Sequence, residues 1–154
     1  MHLLCDEMLR RLGRWLRAAG HDTAIAAAGV SDADLIARAL REARILLTRD
    51  RHLATVAPPG ARVLLLRSDG LDEQAHALRD ELGLDWMAAP FTRCMLDNAA
   101  LRFAPPDSAE RVPESSRDMA GELRVCAACG RLYWPGGHVQ RMKARLAGWA
   151  LTGL

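Results

Sequence analysis

Three times along this chain a short apolar run ends at an aspartate and is followed by a helix-like segment. The runs are Leu3-Leu4-Cys5-Asp6-Glu7, Ile45-Leu46-Leu47-Thr48-Arg49-Asp50 and Val63-Leu64-Leu65-Leu66-Arg67-Ser68-Asp69. Apolar runs this short, each leading into a helix, read as buried strands of a parallel sheet. Strands of such a sheet all point the same way, so Asp6, Asp50 and Asp69 should emerge at one edge, the usual ligand crevice of open α/β folds. Carboxylates gathered there repel one another unless a cation lies between them. The repeated phrase therefore predicts an acidic metal site.

The rest of the first half fits this frame. Met8, Leu12, Trp15, Leu16 and Ala19 share one face of a helix over 8–19, with Arg10, Arg14 and Arg17 on another and Gly20 as its stop. Asp22 to Ala27 forms a second strand. Ser31-Asp32-Ala33-Asp34 opens a helix, with Ser31 as N-cap and Asp34 in the capping-box position. That leaves Asp32 for chemistry. Strands at 44–48 and 62–67 enclose a short helix, 51–56, and a Pro58-Pro59-Gly60 turn. A further helix over 71–82 ends at Gly83. The order βαβαβαβα implies a parallel sheet between helices, joined by right-handed crossovers.

A chain of 154 residues suits one main domain with a small appendage, and its core is large enough to fold without disulfides. The boundary falls near Ala88-Ala89-Pro90, giving 1–88 and 89–154. Within the second part, residues 104–122 hold three prolines and five acids against two arginines, and read as a mobile loop. The stretch from His138 to Gly148 reads as a short basic helix. No apolar run approaches the ~20 residues of a membrane helix, and the N-terminus lacks a signal pattern, so the expectation is a cytoplasmic protein without a membrane partner. The net charge of +2 does not by itself announce nucleic acid.

Oxygen-rich acidic sites suit Mg²⁺ or Mn²⁺, and such sites hydrolyse phosphodiesters by positioning and activating water. Asp6, Asp50 and Asp69 would supply ligands from strand ends. Asp32 joins them because a helix following a strand begins at the same edge. For each, capping or turn formation is the structural alternative; for Asp69, in Ser-Asp-Gly, capping explains the residue nearly as well. Glu7 is expected to pair with a nearby arginine. The Cys126-Ala-Ala-Cys129-Gly130 knuckle points to zinc or redox chemistry, while Cys5, inside an apolar strand, reads as a core thiol. Tyr133 and Trp134, with Arg131, Arg141, Lys143 and Arg145, form either an RNA-gripping surface or the small core of the tail.

Asp6-Glu7-Met8-Leu9, the segment Arg11 to Arg17, Ser31-Asp32, Thr48-Arg49-Asp50-Arg51 and Leu65-Leu66-Arg67-Ser68-Asp69 together resemble the mutator-seven C-terminal RNase family. In the tail, Phe91-Thr92-Arg93-Cys94, Cys126 to Gly130 and Tyr133-Trp134 extend that resemblance over nearly the whole chain. It implies a PIN-like three-layer α/β/α fold with a zinc ribbon attached, and single-stranded RNA as substrate. It assigns the active site to Asp6, Asp32, Asp50 and Asp69. On this reading Arg14, Arg17 and Arg49 hold phosphates; the alternative is that they are solvated or neutralise the acids. The family tail would carry two CxxC knuckles. Here the first reads Cys94-Met95-Leu96-Asp97, which gives a Cys94, Asp97, Cys126, Cys129 zinc set, with His138 an alternative fourth ligand. A metal-dependent ribonuclease is thus the expected function. An RNA-binding module with an idle site and a toxin-type PIN nuclease are the alternatives.

Overall fold

The computed structural model describes residues 1–151, apart from the side chains of 119–121; residues 152–154 of the expected second part lie outside the described residues. Strands β1 (His2–Cys5), β2 (Asp22–Ile25), β3 (Ile45–Thr48) and β4 (Val63–Leu65) form a parallel sheet in the order β2-β1-β3-β4. Register places Leu4 between Ala24 and Leu46, and Leu64 beside Leu47. The two central strands are the most apolar runs, and Leu3, Leu4, Cys5, Leu46 and Leu47 are all 0% exposed. Burial pushes the Cys5 thiol up to about 12, as a core thiol requires. The edge strands are shorter than their apolar runs, since each pairs with one neighbour only.

Alternate residues of these strands feed two cores. Leu3, Cys5 and Leu47 pack with Leu12, Leu16, Ala75 and Leu78. Leu4 and Leu46 pack with Leu35, Ala39 and Leu53 on the other side. Helices α1 (Arg10–Ala18) and α4 (Leu71–Leu82) thus cover one face, and α2 (Asp32–Arg41) and α3 (Arg51–Val56) the other. The first turn of the expected 8–19 helix is a 3₁₀ turn, Glu7–Leu9. Gly83 ends α4 in the left-handed region, at φ 63°.

The second half is built differently. Strands β5 (Leu101–Phe103), β6 (Arg124–Cys126) and β7 (Leu132–Tyr133) make a small antiparallel sheet in chain order. Between β5 and β6 the proline-rich segment carries two 3₁₀ helices, Pro106–Arg111 and Glu114–Glu122. The strap leading into this sheet is bonded to the first: Phe91 N donates to Ala18 O at 2.7 Å and Thr23 N to Asn98 Oδ1 at 2.9 Å. Gly20 makes the close approach possible. Its φ is +96°, and a Cβ there would lie 2.3 Å from the Ala89 carbonyl oxygen.

Helix α5 (Gly137–Ala150) is more than a basic tail. Met142, Leu146 and Trp149 are buried in the same core as α1 and α4. The Trp149 ring lies 4.9 Å, centroid to centroid, from both Trp15 and Trp86. Asp72 accepts from the Trp149 indole and from Arg145, each at 2.8 Å. The last helix therefore completes the hydrophobic layer that α1 and α4 begin. Among the described residues no helix is long and apolar enough to cross a membrane.

Candidate active site and metal centre

Topology puts the acidic residues along one edge. In the order β2-β1-β3-β4, connections leave β1 and β3 in opposite directions, so the crevice between their carboxyl ends is a topological switch point. Asp6 follows β1 and Asp50 follows β3. Asp6 N extends the ladder by donating to Leu47 O at 3.0 Å. Thr48, 0% exposed, joins the two acids: its hydroxyl donates to Asp6 Oδ2 at 2.8 Å and accepts from Asp50 N at 3.0 Å. Asp50 also caps α3, its Oδ1 accepting from His52 N and Leu53 N at 2.7 and 3.2 Å. Asp6 Oδ1 and Asp50 Oδ2 remain uncommitted among the described contacts, on half-buried side chains.

The other two acids flank this pair. At the start of α2, Ser31 accepts from Asp34 N at 3.1 Å and donates to its Oδ2 at 2.8 Å. Asp34 is occupied in this way, and Asp32 stands half-buried beside it. Asp69 lies beyond β4, exposed. It does not cap α4: Gly70 holds that position, and the Gly70 amide bonds Ser68 Oγ at 3.0 Å. Neighbouring strands are ~4.8 Å apart, so Asp69 is the outermost member, two strands from Asp6. Among the described residues these acids do not close into one set of potential metal ligands.

The basic residues are more varied than a phosphate clamp. Arg17 is 7% exposed. Its Nε donates to Thr23 O at 2.8 Å, and its Nη1 to Met95 O and Leu96 O at 3.0 and 2.7 Å. Those donors tie α1 to the first cysteine turn. Arg14 is exposed and lines a cavity against Tyr133 and Trp134. Arg49 is half-buried, and its Nε is shut from solvent with no acceptor. Among the described residues Glu7 pairs with no arginine; its Oε2 takes the Gly29 amide at 2.9 Å, latching the loop between β2 and α2.

Cys94, Asp97, Cys126 and Cys129 do come together, with ligand atoms all within 4.8 Å of one another. Cys94 Sγ is 3.9 Å from Cys129 Sγ and 3.5 Å from Asp97 Oδ2, and Cys126 Sγ is 3.2 Å from Asp97 Oδ2. Tetrahedral zinc with bonds of ~2.0–2.3 Å has edges of roughly 3.5–3.8 Å, so the donor set fits that ion. Burial alone would raise the Cys94 thiol, but hydrogen bonds, first from the Tyr133 hydroxyl at 3.1 Å, leave it lowered. Contacts from Cys129 and Cys126 hold Asp97 below the usual carboxylate range. His138 is exposed at the start of α5 and outside this set.

The family model of the Mut7-C RNAse domain matches residues 1–146, which include both the acidic edge and the cysteine cluster. The chain belongs to this family. Curated proteins and solved structures yield no match. Membership in Mut7-C gives the chain a ribonuclease-type function.

Proposed function

We propose that this Mut7-C domain is a metal-dependent ribonuclease of PIN-like type, cleaving single-stranded RNA at the edge where Asp6 and Asp50 meet. The observation that carries the reading is the Thr48 hydroxyl, which donates to the Asp6 carboxylate and accepts from the Asp50 amide, setting both acids at a sheet switch point while each keeps one free oxygen. An all-oxygen donor set on half-buried side chains suits Mg²⁺ or Mn²⁺. Such an ion, when bound, supplies the charge that acidifies water and stabilises the leaving oxygen.

The residues of the chain divide the remaining work. Asp6 and Asp50 are the inner ligands. Asp32 closes the β2 side and Asp69 the β4 side. Arg49, half-buried and next to Asp50 in the chain, holds a phosphate through its guanidinium. Cys94, Asp97, Cys126 and Cys129 hold zinc in a ribbon-like module, which Asn98 bonds to the start of β2. Zinc there would act as a cross-link between chain segments far apart in sequence.

Purified protein incubated with a fluorogenic single-stranded RNA tests the reading. Cleavage should require Mg²⁺ or Mn²⁺ and disappear in Asp6→Asn and Asp50→Asn proteins that keep the far-UV spectrum of the parent. Undiminished cleavage by either variant refutes it. An idle nuclease site is favoured by one observation only, that the four acids do not close into one ligand set, and RNA binding without turnover in either metal would establish it.

A further inference from the structure

A cavity of about 450 Å³ lies between α1, the strap at Phe91, β7 and the start of α5. That size is ordinary for a ligand pocket. Its wall is aromatic, made by Phe91, Tyr133 and Trp134, and its rim carries Arg14 and Arg131. No acidic side chain lines it. Both arginines are exposed, and neither is in an ion pair among the described residues. A second cavity, of about 230 Å³, shares the same aromatic wall and is lined by Glu122 as well as by Arg124 and Lys143.

The wall is held in place by the chain around it. Phe91 has a left-handed backbone, φ 56°, pinned by the bond from its amide to Ala18 O. The Tyr133 hydroxyl is fixed between Cys94 Sγ and Met95 N. Gly136 leaves room for the Trp134 ring, since a Cβ there would come 2.8 Å from the indole nitrogen. That nitrogen, like the Trp15 indole, donates to no protein acceptor among the described residues, whereas the indoles of Trp86 and Trp149 both do. A rigid aromatic wall, a free indole donor and unpaired cations at the rim fit a planar, hydrogen-bonding group flanked by anions. A nucleotide of an unpaired strand has that chemistry.

We infer that this cavity is a base-binding subsite for single-stranded RNA, in which one unstacked base lies against Trp134 while Arg14 and Arg131 meet the adjoining phosphates. The inference rests on the ribonuclease reading above and adds where the strand is held. Arg10 and Arg14 are four residues apart on α1, hence on one helix face, and both are exposed. They form a basic path that starts immediately after the Asp6 turn and ends at the cavity. The strand would follow it from the acidic edge to the pocket.

Affinity for a short fluorescein-labelled single-stranded oligouridine, measured by anisotropy with full-length Asp6→Asn protein, provides the test. Adding Trp134→Ala should weaken binding about 5- to 150-fold, the range for loss of one stacked base. Trp134→Phe should restore most of that loss. Arg14→Ala and Arg131→Ala, at exposed positions where folding is not at stake, should each lower the salt slope by about one. An oligonucleotide bearing 4-thiouridine should photocross-link at Phe91 or Trp134. Unchanged affinity in Trp134→Ala and in both arginine variants would overturn the inference, as would equal affinity for a duplex of the same length. Failure of the nuclease site would instead appear as shortening of the probe by the Asp6→Asn protein, a separate readout on a gel.

Discussion

Replacing Arg17 by methionine tests how the two halves of the chain are joined. The guanidinium reaches three carbonyls, Thr23 on β2 and Met95 and Leu96 in the first cysteine turn. At 7% exposure its place cannot be taken by water, so Arg17→Met leaves those acceptors short of donors and releases the 95–96 turn from α1. Leaving a buried carbonyl without its donor costs about 1–3 kcal/mol, so three of them should cost at least about 3 kcal/mol, or roughly 10 °C in Tm for a domain of this size. Urea unfolding of parent and variant, with and without zinc, measures it. Zinc should also leave the variant faster, because Cys94 and Asp97 flank the released turn. Arg17→Lys should rescue little, since a single ammonium cannot span the three acceptors. A loss below about 1 kcal/mol, together with sharply weakened RNA binding, would refute the structural role and return Arg17 to the substrate.

Other consequences are independent of that one. Thr48→Val keeps the shape but removes both bonds between Asp6 and Asp50; cleavage should fall about 10- to 100-fold, as for other outer-shell ligand partners, and parental turnover would contradict the bridge. Asp97→Cys completes a four-thiolate set, so zinc should be held more tightly in competition with a chromogenic chelator; weaker retention would mean that Asp97 is not a ligand. Asp22 offers a pH test. Burial would raise its carboxyl, but hydrogen bonds from Arg44 and Asn98 hold it at about 2. The folded value lies below the unfolded one of ~3.9, so the stabilisation, on the order of 1–2 kcal/mol, is complete above that value and is lost as pH falls toward the folded value. Asp22→Asn should flatten the acid limb of a stability–pH curve, and an identical limb would argue against the pairing.

What could be read in advance follows from burial and range. β1 and β3 are enclosed on both faces and by neighbours on both sides, so apart from His2 and Thr48 their residues are apolar and the strand–acid phrase is plain. β2 and β4, at the edges, need less apolar length, and their ends were set two residues too far. The capping pair Ser31 and Asp34 is local and legible. Asp50 was harder, because one carboxylate both caps a helix and faces the crevice. Helix α5 is legible as a short basic helix, but the burial of Met142, Leu146 and Trp149, which recur at helical spacing, is obscured by the charges of Arg141, Lys143 and Arg145. Arg17 shows the limit of residue type as a guide, since a cation near acids in sequence is, in space, bonded to backbone 78 and 79 residues away. The Cys94 and Asp97 turn is legible only through the family resemblance, whereas the joining of Arg14 and Phe91 to Trp134 depends on contacts that no local pattern records.

The central claim is that one divalent ion sits between the free oxygens of Asp6 and Asp50. Crystals soaked in Mn²⁺ and measured near the manganese edge test it directly. The account predicts an anomalous peak roughly 2.1 Å from each of those two oxygens, and its disappearance in Asp6→Asn crystals. Strong manganese density elsewhere, with none between residues 6 and 50, would contradict it.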